Sequence, residues 1–278
     1  MSIENFISTV WSESLLRELQ NHQIGVAHCN RDYDGEIKEQ GSVVKICGVG
    51  NINVSDYSSN TDLITQTLSD TSVDLLINKA QYFNFQIDDV DRAQANPKLM
   101  NAAMSLAASK LATEADKYIF NMYSRSTQNL FCRDHSAENI INTIIKAREM
   151  LYNRNVSDDM EVVFEITPRV ATLLLKAKLV TTSNNDTILN DGALGSIFGC
   201  KIYVSNNVNA VPDGDLSNHK CFMRTTRAIA YAEQISEIVA YRPEKRFADA
   251  VKGLHLYGAE LIYPKELVVI DFEFNDAA

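Results

Sequence analysis

The residues in this sequence that are best suited to chemistry are three neighbouring acids, Asp88, Asp89 and Asp91. Carboxylates this close together can exchange protons with a substrate or hold a cation. They also precede a stretch with helical periodicity, where acids stabilise the positive end of the helix dipole. We interpret them first as helix-flanking acids and keep acid–base or cation chemistry as the alternative.

Thiols and imidazoles are scattered along the chain and form no Cys-x-x-Cys pair, so the close ligand spacing of a zinc site is missing. No Gly-x-Ser-x-Gly elbow is present either. A cysteine–histidine dyad built from distant positions stays open, but nothing selects one cysteine for it. The cysteines are Cys29, Cys47, Cys132, Cys200 and Cys221, an odd number typical of reduced thiols. We therefore expect no catalytic, metal or cofactor-binding residue, and no enzyme activity.

Three glycines, Gly192, Gly195 and Gly199, form a Gly-x-x-Gly-x-x-x-Gly pattern. This spacing matches neither a P-loop nor the dinucleotide-binding fingerprint. Turn glycines ahead of a strand that begins near Cys200 explain the pattern better.

The charge balance excludes several classes of protein. The chain has 278 residues and a formal net charge of −10, which opposes a basic face dedicated to reading nucleic acid or docking on an anionic membrane. It does not exclude a protein that encloses nucleic acid. No apolar run reaches the length of a membrane span, and the first residues lack the basic start of a signal peptide.

Acidic and basic residues are concentrated in separate segments. From Gly48 to Asp91 the net charge is −6, whereas from Lys220 to Lys252 it is +3. Opposite charges on separate segments favour contact between them, within one chain or between copies. The cluster of basic residues Arg242, Lys245 and Arg246 could also contact a phosphate. The contact hypothesis pairs Asp56, Asp62, Asp70 and Asp74 with Arg242, Lys245, Arg246 and Lys252 of an adjacent copy.

The first half of the chain predicts a long loop followed by a long helix. Strand-like alternation covers 43–49 and again 73–87, with a long polar excursion between them that a compact domain rarely keeps without a function. Asn96-Pro97 then opens a helix of nearly thirty residues, because Asn caps helices and Pro fits their first turn. Its expected packing face consists of Met100, Ala103, Ala107, Leu111, Ala115, Tyr118, Ile119 and Met122.

The second half predicts a mixture of helices and strands. Ser136 and Thr167-Pro168 are good helix starts. Strand patterns lie at 161–166, 200–204, 229–235, 254–262 and 267–274, the last with two alternating faces. This order predicts an α+β fold, because it lacks a regular βαβ series.

Six stretches, taken together, resemble the major capsid proteins of tailed bacteriophages with the Hong Kong 97 type of shell. They are Asn30–Ile37, Gly41–Ile46, Ala80–Phe83, Asp88–Asn96, Gly192–Asn206 and Tyr241–Glu244. The resemblance is specific because the six stretches occur in the same order and at the same separations as in that family. It covers essentially the whole chain.

The resemblance implies a division of the chain into an N-terminal arm, an extended hairpin loop with its flanking strands, a peripheral domain with a spine helix, an axial domain and strands that return to the peripheral domain. In that order, these parts cover 1–30, 31–90, 91–135, 136–235 and 236–278. An encapsulin-like compartment has the same fold and remains an alternative, as does an α+β enzyme that uses a cysteine or the acids at 88–91.

The resemblance also implies partners. Copies of the chain form hexamers and pentamers that enclose double-stranded DNA in a virion, after synthesis in the host cytoplasm. A portal and decoration proteins accompany such shells. The N-terminal part is too short to hold a fused scaffolding domain, so we expect a separate scaffolding protein, or none.

Overall fold

The computed structural model describes residues 15, 18–19, 22–34, 41–49, 70–88, 98–156, 160–177, 193–213, 216–244 and 248–275. Its helices are α1 (Lys98–Phe120), α2 (Ala137–Tyr152) and α3 (Pro168–Lys176), with 3₁₀ turns at Val26–His28, Asn121–Arg125 and Pro264–Glu266. Its strands are β1 (Val43–Val49), β2 (Asp70–Leu76), β3 (Lys79–Asp88), β4 (Asn129–Cys132), β5 (Val162–Ile166), β6 (Ala193–Ile197), β7 (Cys200–Val204), β8 (Ala210–Asp213), β9 (Leu216–Thr225), β10 (Ile229–Tyr241), β11 (Ala248–Leu261) and β12 (Leu267–Asn275).

The largest sheet has seven strands and carries α2 and α3 on one face. Its strand order is β4-β12-β9-β5-β7-β6, with β8 paired to β9. Both helices begin where the sequence predicted: the Ser136 hydroxyl accepts a hydrogen bond from Asn139 N, and the Thr167 hydroxyl accepts one from Val170 N. The mixture of parallel and antiparallel pairs with two covering helices confirms the predicted α+β class.

A second sheet, in the order β10-β11-β3, packs against α1. Helix α1 buries Met104, Ala108 and Leu111 against Ile238 of β10 and Val251 of β11. Among the described residues, no helix is long and apolar enough to span a bilayer.

The packing face of α1 is wider than the one expected. Of the expected residues, Leu111, Ala115, Ile119 and Met122 are buried, and Ala103, Ala107 and Tyr118 are half-buried; the side chain of Met100 is outside the described part. The helix also buries residues that the periodicity did not single out, namely Met104, Ala108, Ala112, Asp116 and Phe120. The stripe is wider than expected because two different clusters pack on α1, one along its first half and one at its end.

Strands β1 and β2 form a separate two-stranded ribbon, in register from Val43–Leu76 to Val49–Asp70. The base of this ribbon packs on the second sheet, where Gly258 allows a close approach: a Cβ there would lie 2.3 Å from Leu76 O. The polar excursion predicted between the two strands falls at 50–69, outside the described residues.

Strand β12 is buried on both faces, unlike the half-buried strands that alternation usually marks. Val268 and Ile270 pack into the cluster under α2 and α3, whereas Leu267 and Val269 pack into the cluster at the end of α1. The sequence-based division placed 236–278 with the returning strands. In the structure β10 and β11 pair in the sheet with β3, but β12 lies between β4 and β9 in the seven-stranded sheet.

Candidate assembly surfaces

The thiols are poorly placed for nucleophilic catalysis. Cys29, Cys132, Cys200 and Cys221 are buried, and Cys47 on β1 is exposed. Burial raises the pKa of Cys29 and of Cys200 to about 11 and that of Cys221 to about 12. A thiol with a raised pKa stays protonated at neutral pH, which opposes a nucleophilic role for these three buried cysteines.

In the native protein we expect Cys47 alone to react rapidly with Ellman's reagent, whereas all five thiols should react after unfolding in guanidinium. Cys47→Ser should abolish the rapid phase. A rapid phase that survives in this variant would mean that a buried thiol is activated.

The acids at 88–91 are only partly described. Asp88 is the last residue of β3, and Asp89 and Asp91 lie outside the described residues. Within the described ranges, no three His, Cys, Asp or Glu side chains converge as they would around a metal ion. Gly199 lies in the turn before β7 with a positive φ of 77°, as expected of a turn glycine.

A fully buried ion pair fixes the segment 22–34 to the seven-stranded sheet. Arg224 of β9 donates from Nε and Nη2 to the two carboxylate oxygens of Glu165 on β5, each at 2.8 Å. Its remaining donors reach Gly25 O at 2.8 Å and His28 O at 2.6 Å. Burial opposes the ionisation of Glu165, yet the Arg224 charge holds the pKa of that carboxyl below its ordinary value.

Helix α1 contributes a second buried anchor for the same segment. The Asp116 carboxylate accepts hydrogen bonds from Ile24 N and Val26 N, both at 3.0 Å. Burial raises the pKa of Asp116 despite these hydrogen bonds. Segment 22–34 therefore joins α1 to the seven-stranded sheet. It thereby helps to place the cluster at the end of α1 relative to the cluster under α2 and α3.

A third anchor lies on β10. Glu233 accepts hydrogen bonds from Arg31 Nη2 at 2.5 Å and from Gln23 Nε2 at 3.1 Å, and His255 Nε2 lies 3.0 Å from it. Burial opposes the ionisation of Glu233, but His255 and Arg31 lower its pKa. These three anchors make residues 22–34 a structural part of the folded body.

The described surface carries an apolar groove between β3 and α1, with a volume of about 870 Å³. Residues 80–86 line one side, and Leu106 and Lys110 are among the α1 residues that line the other. Tyr82 is 78% exposed and Leu106 is 62% exposed, which is unusual for large apolar side chains. Large exposed apolar side chains grouped around one groove are typical of a contact surface.

The end of the β10–β11 hairpin that carries Arg242 and Lys252, called here its basic end, lies beside this groove. Lys252 is paired with Asn84 and Val251 with Phe85, and Asn84 and Phe85 both line the groove. Arg242 Nε is 3.9 Å from Asp249 Oδ1, and Lys252 Nζ lies 5.4 Å from the centre of the Tyr241 ring.

The structure places only some of the residues in the contact hypothesis. Arg242 and Lys252 are exposed near the groove, and Asp74 is exposed on β2 opposite Lys45. Asp70 begins β2, and its side chain is outside the described part. Asp56, Asp62, Lys245 and Arg246 lie outside the described residues. Sequence reasoning missed the groove, because its two sides come from segments whose exposed apolar residues look like core positions.

No protein-family model matches the sequence, and no curated protein sequence matches it. Solved structures do match. That of Mycobacterium phage Che8 is 29% identical, with a TM-score of 0.69 over 89% of this chain and 90% of that one. The capsid of Ralstonia phage GP4 is 11% identical, with a TM-score of 0.70 over 92% and 89%. A virus-like particle from Pyrococcus furiosus is 11% identical, with a TM-score of 0.57 over 95% and 99%.

The chain therefore has the fold that the phage capsid and the virus-like particle share. This is the Hong Kong 97 type of fold found in the major capsid proteins of tailed phages. The fold that the sequence resemblance implied is thereby confirmed.

Proposed function

We propose that this chain is the structural subunit that assembles into the icosahedral head shell of a tailed bacteriophage. The observation that carries this proposal is the likeness to phage structures over about nine-tenths of both chains. An apolar groove on the described surface supports it, since a shell subunit needs faces that only its neighbours cover.

The subunit acts by association. In this proposal the segment between β1 and β2 of one copy lies across the groove of the next, and its acids Asp56 and Asp62 face the basic end of the β10–β11 hairpin. Each exposed ion pair contributes only about 0–1 kcal/mol, but shell symmetry repeats it many times. The contact joins different surfaces of two copies, which is the arrangement that closes rings.

The wider assembly follows from the family resemblance. Copies form hexamers and pentamers, with a portal, a separate scaffolding protein and decoration proteins as partners. The shell contacts packaged double-stranded DNA without sequence preference, which suits a chain with a net charge of −10. The protein is made in the host cytoplasm, functions in the virion and catalyses no reaction.

Charge reversal tests the interface directly. The double variant Arg242→Glu and Arg246→Glu should remain folded, with an unchanged circular dichroism spectrum, but should fail to form particles in sedimentation velocity. Like charges would then face each other at every copy of the contact.

The matched control is Lys176→Glu with Lys265→Glu, which changes the net charge equally at two exposed positions away from the groove. It should assemble normally. Particles from the Arg242/Arg246 variant at the wild-type subunit concentration would contradict the proposed interface.

A further inference from the structure

The turn between β6 and β7 holds a bulky side chain in an unfavourable backbone conformation. Phe198 and Gly199 are its two central residues, with φ of 47° and 77°. Hairpin turns with two positive φ values favour Asn or Gly at the first position, because a Cβ there is crowded. A phenylalanine in this conformation is a rare exception that calls for a functional reason.

The Phe198 side chain is only half covered by its own chain. It is 48% exposed, although Ile197 and Cys200 on either side of the turn are buried in the cluster under α2 and α3. The core thus fixes the base of the turn and presents the ring to the outside. A rigid, exposed aromatic ring is the typical anchor of a protein–protein contact.

Helix α2 carries an apolar face that its own core leaves uncovered. Ile140 and Ile144 are buried, but Ile141 is half-buried and Ile145 is 44% exposed, one turn apart on the outer side. The helix is therefore apolar over a wider arc than the underlying sheet needs.

The Phe198 turn and the apolar face of α2 lie toward opposite edges of the same sheet. Strand β6 is at one edge of the seven-stranded sheet and β4 at the other, and α2 packs on β4 and β12. Both features have charged residues of both signs around them: the exposed Lys201–Glu161 pair near the turn, and Lys146 and Glu149 on α2. An apolar centre with a polar rim is the usual build of an interface.

We propose that Phe198 of one copy packs on the Ile141–Ile145 face of α2 in the adjacent copy. This inference rests on the proposed shell function and adds a second contact, separate from the groove. Because the Phe198 turn and the Ile141–Ile145 face lie toward different edges of the sheet, the contact is head-to-tail and repeats around a ring of copies. The local strain at Phe198 is retained because the ring is needed in the assembly.

Replacing Phe198 with asparagine separates the local role from the assembly role. Asparagine suits the left-handed conformation, so Phe198→Asn should keep or raise the thermal midpoint of the unassembled protein. Assembly should require a subunit concentration about tenfold higher, as for loss of an aromatic anchor. Leu175→Asn, at a position 50% exposed on α3, is the matched control and should assemble as the wild type does.

The outcomes distinguish the two proposals. Wild-type protein that forms no particles would overturn the proposed function and this inference with it. Wild-type particles whose assembly is unchanged by Phe198→Asn would overturn the inference alone. Equal losses of assembly in Phe198→Asn and Leu175→Asn would also overturn the inference, because assembly would then respond to any exposed apolar residue.

Crosslinking tests which surfaces meet. In a Cys47→Ser background, Ser196→Cys and Asn142→Cys, at exposed positions beside the Phe198 turn and the Ile141–Ile145 face, are prepared as separate proteins and treated with a short bis-maleimide. Mixed copies should give covalent dimers, and neither protein alone should, since the contact joins different surfaces. Dimers from Ser196→Cys alone, or none from the mixture, would overturn the proposed pairing.

Discussion

Replacing Glu165 with glutamine is expected to lower the free energy of unfolding by about 3–5 kcal/mol, because it leaves the fully buried Arg224 guanidinium without its counter-charge. Glutamine keeps the shape of the side chain, so the lost stability results from the missing charge and not from a cavity. The loss should be measured by urea unfolding of the unassembled protein. It should be accompanied by loosening of residues 22–34, which Arg224 holds through Gly25 O and His28 O.

An exposed ion pair on the same sheet provides the control. Lys201 Nζ is 2.7 Å from Glu161 Oε1, and both side chains are exposed. Glu161→Gln should change stability by less than about 1 kcal/mol, because water screens the pair. Equal effects of Glu161→Gln and Glu165→Gln would contradict the structural role of the buried pair.

The Glu165 effect also has a definite pH dependence. The pKa of Glu165 is lowered in the folded state from an ordinary value of 4.5, so its contribution is complete above that value. As the pH falls through the lowered pKa, the carboxylate is protonated and the contribution is lost. The difference in stability between wild type and Glu165→Gln should therefore shrink with acidification below about pH 4.5.

A charge in the groove is expected to abolish particle formation. Leu106 is 62% exposed on α1, so Leu106→Glu should change the stability of the isolated subunit by no more than about 0.5 kcal/mol. In the assembly the same glutamate would be removed from water under the neighbouring copy, and pairing with Lys110 one turn away would not repay that desolvation. Light scattering during assembly should show no growth in particle mass.

Ala102→Glu is the matched control, since it adds the same charge at an exposed position of α1 that does not line the groove. It should assemble with wild-type kinetics. Wild-type assembly of Leu106→Glu would show that the groove stays open in the particle, and would remove it from the interface.

Local signals in the sequence predicted the helix starts and several strands, because they depend on nearby residues. They missed β4, β6, β8 and β9, and they covered β2 and β3 with a single stretch. The caps at Ser136 and Thr167 and the strand pattern of β12 all act within a few residues. What those signals could not supply is the number of surfaces that each element meets. Strand β12 and helix α1 each serve two packing clusters, so their buried stripes are wider than a single amphipathic face.

The anchors of segment 22–34 could not be predicted for a related reason. Glu165 and Arg224 are 59 residues apart, and Asp116 is about 90 residues from the backbone groups that it binds. Nothing in their local sequence distinguishes them from surface charges. The same holds for Phe198, whose importance depends on a positive φ that only the folded turn reveals.

The most direct test of the account is negative-stain electron microscopy of the purified protein. A shell subunit of this fold should form closed, hollow particles of uniform diameter with icosahedral outline. Protein that stays monomeric or dimeric at high concentration, with or without a co-expressed scaffold, would contradict the assignment.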